Sequence, residues 1–119
     1  MSFEPKEFIK ISKELSVGET EAHFRSLINR AYYGVFGYIK KQLPINAFDA
    51  SVHQEVIAAL KRSTKINEKK AGSRLETLFK RRKDADYKYD IEIHKNTCHY
   101  IISDAEEIIK LFDTKDIEK

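Results

Sequence analysis

Residues 24–43 read FRSLINRAYYGVFGYIKKQL, and this stretch carries the strongest structural signal in the chain. Its apolar side chains recur at intervals of three and four residues, a pattern that predicts one buried face of an α-helix. That stripe comprises Phe24, Leu27, Ile28, Ala31, Val35, Tyr38 and Ile39. Pro44 disfavours helical geometry at the residue before it, so we expect the helix to span about residues 19–42. A stripe of this length must be buried against other helices.

Four further segments have helical periodicity, and we expect helices at about residues 5–15, 50–62, 68–83 and 90–112. The second and fifth helices are the longest predicted, and we expect them to pack antiparallel. No Asn-Gly or Asp-Gly turn separates alternating apolar runs, so strands are not indicated. The sequence therefore predicts an all-α, compact up-and-down bundle of four to five helices. We expect one domain over residues 1–119, with a flexible C-terminal tail at 113–119.

Composition narrows the class of protein. The chain has 119 residues, of which 41% are hydrophobic and 34% charged, enough apolar side chains for one core. Its single cysteine, Cys98, excludes an internal disulfide, and no apolar run reaches the roughly 18 residues that a membrane span needs. We therefore expect a cytoplasmic protein without membrane association. It has neither a Gly-rich phosphate loop nor a Cys-x-x-Cys pair, so we expect no cofactor.

The charge of the chain is unevenly distributed. Residues 61–83 include ten basic and two acidic side chains, a net charge of +8, whereas the whole chain has a net charge of +3. The residues outside this segment therefore carry a net charge of −5. Such a division predicts an anionic partner or an acidic protein surface.

A second stripe on the predicted second helix is polar and aromatic. It comprises Arg25, Asn29, Tyr32, Tyr33 and Phe36, which recur at helical spacing beside the apolar stripe. Gly34 and Gly37 lie in the middle of the same helix, where each costs about 1 kcal/mol relative to alanine. Small residues at such positions indicate close approach by another helix or by a second copy of the chain. The tyrosines also fit an ordinary edge of an amphipathic core.

The end of the predicted fourth helix reads RRKDADY over residues 81–87. The forked guanidinium group of arginine suits recognition of phosphate or carboxylate. Asp86 could instead hold Arg82 in an ion pair. A plainer interpretation is a positive last helical turn that complements the helix dipole, followed by a turn over residues 84–89.

The four histidines, His23, His53, His94 and His99, are dispersed along the chain. His94 and Cys98 share a helical face, but two ligands are too few for a usual zinc site. We therefore expect the histidines to pack between helices, and we expect no metal site.

Two motifs together resemble the HEPN-domain family. The segment RAYYGVF at residues 30–36 resembles the R-A-Y-Y-A-V-F helix of that family. RKDADY at residues 82–87 resembles the R-x-x-A-D-Y element of its small stand-alone branch, and His53 lies where that branch often has a histidine. The resemblance covers about residues 5–112 and implies a HEPN-like helical bundle that forms a homodimer.

Many HEPN proteins are ribonucleases that act as toxins or defence effectors, often encoded beside a minimal nucleotidyltransferase antitoxin. Their catalytic signature is R-x4–6-H. No arginine of this chain has that spacing to a histidine, and Lys88-x5-His94 is the nearest match. The resemblance thus implies either an RNA-directed toxin with a nucleotidyltransferase partner, or a non-catalytic dimeric module that binds RNA, a nucleotide or a protein.

Under this interpretation the site residues come from two stretches of chain. We predict Arg82 and His94 as catalytic residues, with His53 as the alternative base. The residues predicted to bind substrate are Arg30, Tyr33, Arg81, Lys83, Asp86 and Tyr87. The hypothesis requires Arg30 and Arg82 to approach one cleft.

Overall fold

The computed structural model describes residues 3–47 and 49–114, and all regular structure within them is helical. The five helices are α1 (Glu7–Leu15), α2 (Glu21–Lys40), α3 (Val52–Lys61), α4 (Ile66–Tyr87) and α5 (Lys95–Asp113). The all-α prediction is confirmed. Within the described ranges, no helix has the length and apolar character that a membrane crossing requires.

The helix α2 begins with a reciprocal cap. Thr20 Oγ1 accepts a hydrogen bond from the backbone N–H of His23, and the His23 ring accepts one from the N–H of Thr20. This arrangement is a capping box with histidine in the place of the usual glutamate or glutamine. The apolar stripe then points inward, and its most buried members have no exposed surface: Leu27, Ala31, Val35 and Ile39.

Contacts at both ends of α2 and α5 show that these two helices are parallel. Near the start of both helices, Cys98 Sγ lies 3.9 Å from the carbonyl oxygen of Phe24. Near the end of both, Tyr38 Oη donates to Asp113 Oδ1 at 2.8 Å. The prediction that these two helices pack antiparallel is therefore wrong. The helix α4, with 22 residues the longest of the five described, runs in the opposite direction and connects the end of the bundle where α2 finishes to the end where α5 begins.

The remaining contacts complete the bundle, in which α1, α2, α4 and α5 alternate in direction and α3 runs in the same direction as α2. α1 lies antiparallel to α2, because Ser12 Oγ donates to the carbonyl oxygen of Leu27 at 3.0 Å while Ile9 packs on Gly34. α4 lies antiparallel to α2 and α5, and α3 packs beside α4. The cores of all five helices merge into one apolar cluster. The predicted compact bundle is confirmed.

The segment predicted as a turn after α4 is part of that helix. Residues 84–87 are helical, and the N–H of Lys88 still bonds to the carbonyl oxygen of Asp84 at 2.9 Å. The prediction of a turn over residues 84–89 is wrong for these positions because Ala85 is buried in the core. At the C-terminus, Asp113 ends α5 and Thr114 follows it; residues 115–119 of the predicted tail lie outside the described residues.

The two glycines of α2 make room for α1. A Cβ atom at Gly34 would lie 2.6 Å from Ile9 Cγ1 and 3.2 Å from the Ile9 backbone nitrogen. A Cβ atom at Gly37 would lie 2.8 Å from Pro5 Cβ. Of the two alternatives for these glycines, close approach by another helix of the same chain is the one observed.

Replacing Gly34 by leucine should destabilise the protein by about 1–3 kcal/mol, because the new side chain needs the volume that Ile9 fills. Urea unfolding followed by circular dichroism measures this change. Ala22→Leu places the same side chain at an exposed position of α2 and should change stability by less than about 0.5 kcal/mol. Equal stability of the two variants would contradict the packing of α1 on Gly34.

Candidate functional site

Arg82 is a buried cation surrounded by aromatic rings. It is only 7% exposed, and its guanidinium carbon lies 5.4–6.0 Å from four ring centroids. These rings belong to Tyr32, Tyr33, Phe79 and Tyr87. A cation near aromatic faces is stabilised by the ring quadrupoles, and more strongly where water is excluded. The packing of α2 on α4 thus encloses one positive charge.

A chain of polar contacts joins Arg82 to Arg30. Arg82 Nη1 donates to Asp86 Oδ2 at 3.1 Å, so the ion pair that the sequence left open as an alternative is present. Asp86 Oδ2 also accepts from Asn29 Nδ2 at 3.0 Å. Asn29 Oδ1 in turn accepts from Arg30 Nη1 at 3.1 Å. The two arginines therefore belong to one network, with Arg82 buried and Arg30 exposed.

The ion pair keeps Arg82 charged. Burial is the largest influence on the pKa of Arg82 and acts to lower it, but the hydrogen bond to Asp86 and the neighbouring Tyr33 outweigh it, so the pKa lies above its usual value. The Nε atom is buried and has no hydrogen-bond partner among the described residues. Arg82 therefore acts as a fixed positive charge behind the surface.

An open cleft of about 380 Å³ lies in front of this network. Its lining comes from α2 and from the end of α4: Arg25, Ser26, Asn29, Arg30, Tyr33, Ala85 and Asp86. Arg82 is behind the wall and not part of the lining. Of the two arginines that the hypothesis brings to one cleft, Arg30 lines it and Arg82 does not; Arg82 is connected to it through Asp86.

Arg25 fixes one wall of the cleft. Its Nη1 donates to the carbonyl oxygens of Ala85 at 3.0 Å and Lys88 at 3.1 Å, and its Nη2 donates to that of Ile91 at 2.6 Å. Glu21 accepts from Arg25 Nε at 2.8 Å and holds the guanidinium in place. Carbonyl groups at a helix end lack intrahelical partners, and this arginine satisfies them. Its role was missed because carbonyl acceptors leave no residue-specific signal in a sequence.

His53 packs beside the rings around Arg82. Its ring centroid lies 5.0 Å from that of Phe79, at an interplanar angle of 19°. Its Nδ1 lies 2.7 Å from Tyr32 Oη. Burial, followed by the charge of Arg82, lowers the pKa of His53. The imidazole is therefore neutral near pH 7.

The bond between Tyr32 and His53 has a defined direction. Burial raises the pKa of Tyr32, so the phenol keeps its proton. His53 Nδ1 is the acceptor that the described residues offer to this buried hydroxyl. The phenol therefore donates, and the ring proton of His53 is on Nε2. Protonation of His53 would remove this acceptor.

The other predicted site residues lie at or near the surface. His94 is the N-cap residue of α5, and its Nδ1 lies 3.6 Å from Glu92 Oε2; no contact joins it to the rings around Arg82 in the part of the chain that the structure describes. Arg81 is exposed, and Lys83 Nζ lies 4.6 Å from the centroid of Phe79. The structure thus places His53, and not His94, beside Arg82.

The exposed face of α4 is rich in basic side chains. Its exposed residues are Ile66, Lys69, Lys70, Ser73, Arg74, Thr77, Lys80, Arg81, Lys83 and Tyr87. Six of these ten side chains are cationic and none is acidic. None of the six forms an ion pair within 4.0 Å of a carboxylate in the described ranges. We call these six cations the α4 cation row; on the same helix, Glu76 lies near Lys80 but pairs with Lys61, and Asp84 pairs with Lys88.

Nothing in residues 3–47 and 49–114 groups three or more His, Cys, Asp or Glu side chains in a way that could hold a metal ion. Comparison with protein-family models, with curated proteins and with solved structures gave no match to this chain. The resemblance to HEPN proteins therefore depends on the two sequence motifs alone.

Protonation of His53 should reduce folding stability. The pKa of His53 is lower in the folded protein than the value of about 6.5 for an unfolded histidine, so its contribution is fully present above that pH. The contribution is lost as the pH falls from about 6.5 through the folded-state pKa. Thermal unfolding between about pH 8 and pH 5 measures this loss.

His53→Gln should flatten that part of the profile, because an amide oxygen accepts from Tyr32 at every pH. His99→Gln, at an exposed position of α5, is the matched control and should keep the wild-type profile. If His53→Gln lost thermal stability between about pH 8 and pH 5 as the wild-type protein does, His53 would not be the group responsible for that loss.

Proposed function

We propose that this protein is a HEPN-type RNA-binding protein. The α4 cation row contacts the phosphate backbone, and the cleft beside Arg30 receives part of the bound nucleotide chain. The observation that carries the proposal is the set of six exposed cations on α4, none of which forms an ion pair in the part of the chain that the structure describes.

The length of the α4 cation row favours a polymer over a single nucleotide. From Lys69 to Lys83 the helix rises about 21 Å at 1.5 Å per residue, which spans several phosphate groups. Unpaired lysine and arginine side chains gain binding free energy by releasing the counterions of a nucleic acid. Where a cation of the same basic segment is paired, as Lys61 is with Glu76, it lies outside the row.

The HEPN-type role has support from the position of the two motifs. Arg30, Tyr32 and Tyr33 come from the first motif, and Arg82 and Asp86 from the second. All five belong to one network of hydrogen bonds and ring contacts. Toxicity, a homodimer and a nucleotidyltransferase antitoxin as partner follow from the family resemblance and form part of the proposal.

Binding to RNA should weaken steeply with salt and should depend on the α4 cation row. We expect the triple variant Lys69→Gln, Lys80→Gln, Arg81→Gln to reduce the slope of log affinity against log salt by about 2, at roughly 0.7 for each lost contact with single-stranded RNA. Fluorescence anisotropy with a labelled single-stranded RNA measures the slope.

The matched control removes three lysines from the exposed side of α1: Lys6→Gln, Lys10→Gln and Lys13→Gln. It has the same net charge as the α4 variant and should keep nearly the wild-type slope. Equal slopes for the two triple variants would place RNA elsewhere. A salt-independent affinity would favour a protein partner bound through apolar contacts.

A second candidate function, RNA cleavage, is favoured by the position of His53. For His53 to act as a general base toward a ribose 2′-hydroxyl group, that hydroxyl must replace the Tyr32 hydroxyl at Nδ1, because Nε2 carries the ring proton. His53 and Arg82 contact the same two rings, those of Tyr32 and Phe79.

If the protein cleaves RNA, the rate should rise with pH through the lowered pKa of His53 and become constant above about pH 6.5. His53→Gln should lower the rate by about 100-fold or more, whereas His94→Gln should retain it. Gel analysis of labelled RNA measures both rates, and growth after expression provides a second readout. Intact RNA with the wild-type protein would exclude cleavage and leave the binding function.

A further inference from the structure

The end of α4 and the connection to α5 present two highly exposed aromatic rings. Tyr87 is 69% exposed and Tyr89 is 79% exposed. Neither ring contributes much to the apolar core. Exposed aromatic rings offer faces on which unpaired bases can stack.

Each of these rings has a fixed guanidinium group at its inner side. The Arg82 guanidinium carbon lies 6.0 Å from the centroid of Tyr87, and that of Arg25 lies 5.9 Å from the centroid of Tyr89. Arg82 is held by Asp86, and Arg25 is held by Glu21 and by backbone carbonyl groups. The rings are therefore supported from within and open on the side that faces solvent.

Both rings border features already described. Tyr87 follows Asp86, and Tyr89 lies over Arg25; Asp86 and Arg25 both line the cleft. Lys83, the last member of the α4 cation row, is four residues before Tyr87, about 6 Å along the helix axis. Backbone contacts along α4 would thus lead directly to the two rings.

We infer that Tyr87 and Tyr89 form a stacking platform for unpaired bases, so that the ligand is single-stranded RNA. This inference rests on the proposed function and narrows its substrate class. Bases stack on aromatic side chains with little dependence on sequence, beside cations that follow the backbone. In an A-form duplex the bases are already stacked on one another, and protein contacts are made with the backbone and the shallow groove instead.

The test measures the affinity of alanine variants for two forms of one RNA. A labelled 12-nucleotide single strand and the same strand annealed to its complement are titrated with wild type, Tyr87→Ala, Tyr89→Ala and the double variant. For the single strand we expect each substitution to weaken binding on the order of tenfold and the double variant on the order of 100-fold. For the duplex we expect changes below about twofold.

Two controls separate the rings from other effects. Tyr87→Phe and Tyr89→Phe keep the aromatic face and should bind the single strand within about twofold of wild type. Tyr100→Ala removes a ring that is 71% exposed on α5 and should leave the affinity unchanged. Circular dichroism melting of each variant confirms that the fold is intact.

An unchanged single-strand affinity in the double alanine variant would overturn the platform and leave RNA binding in place. Failure of the wild-type protein to bind either RNA would overturn both proposals. Sedimentation analysis addresses a second copy as the occupant: if the double variant converts a dimer into a monomer, the two rings are a protein interface and the inference is wrong.

Discussion

The burial of the Arg82 charge constrains the structure more than any other single feature. Removing a guanidinium from water is costly unless a counter-charge and polarisable groups replace the lost hydration. Asp86 provides the counter-charge, and rings from α2 and α4 surround the cation. These partners come from two helices, so the relative position of α2 and α4 is fixed by the requirement to enclose one charge. The cleft, the exposed Arg30 and the neutral His53 all depend on that position.

The helix α2 contacts different parts of the chain along its length. Toward its start, Arg25 and Asn29 hold the end of α4 through polar contacts. Further along, Gly34 admits Ile9 of α1 and Gly37 admits Pro5, which precedes α1, at distances that a larger side chain would prevent. The polar and aromatic stripe and the two glycines therefore have separate structural purposes, although in the sequence they overlap within a dozen residues. This division places the chemically distinctive residues at one end of the bundle.

Helical periodicity was sufficient to predict the fold class and the buried stripe of α2, because Leu27, Ala31, Val35 and Ile39 report burial directly. It was not sufficient to predict how the helices are arranged relative to one another. α5 is parallel to α2 because α3 runs in the same direction as α2 and only α4 reverses the chain between them, as the contacts of His53 with Phe79 and of Leu60 with Gly72 show. Local sequence signals do not report that direction, and they also ended α4 too early. The pairing of Arg82 with Asp86 was accessible from their four-residue spacing. The position of His53 was not, since it follows from the packing of α3 against rings that are distant in the sequence.

The hydrogen bonds of Arg25 connect α2 to carbonyl groups 60 to 66 residues further along the chain. These tertiary contacts tie the last turn of α4 and the connection after it to α2. A side chain at position 25 that is too short to reach these carbonyl groups would leave them without this donor and would free one wall of the cleft.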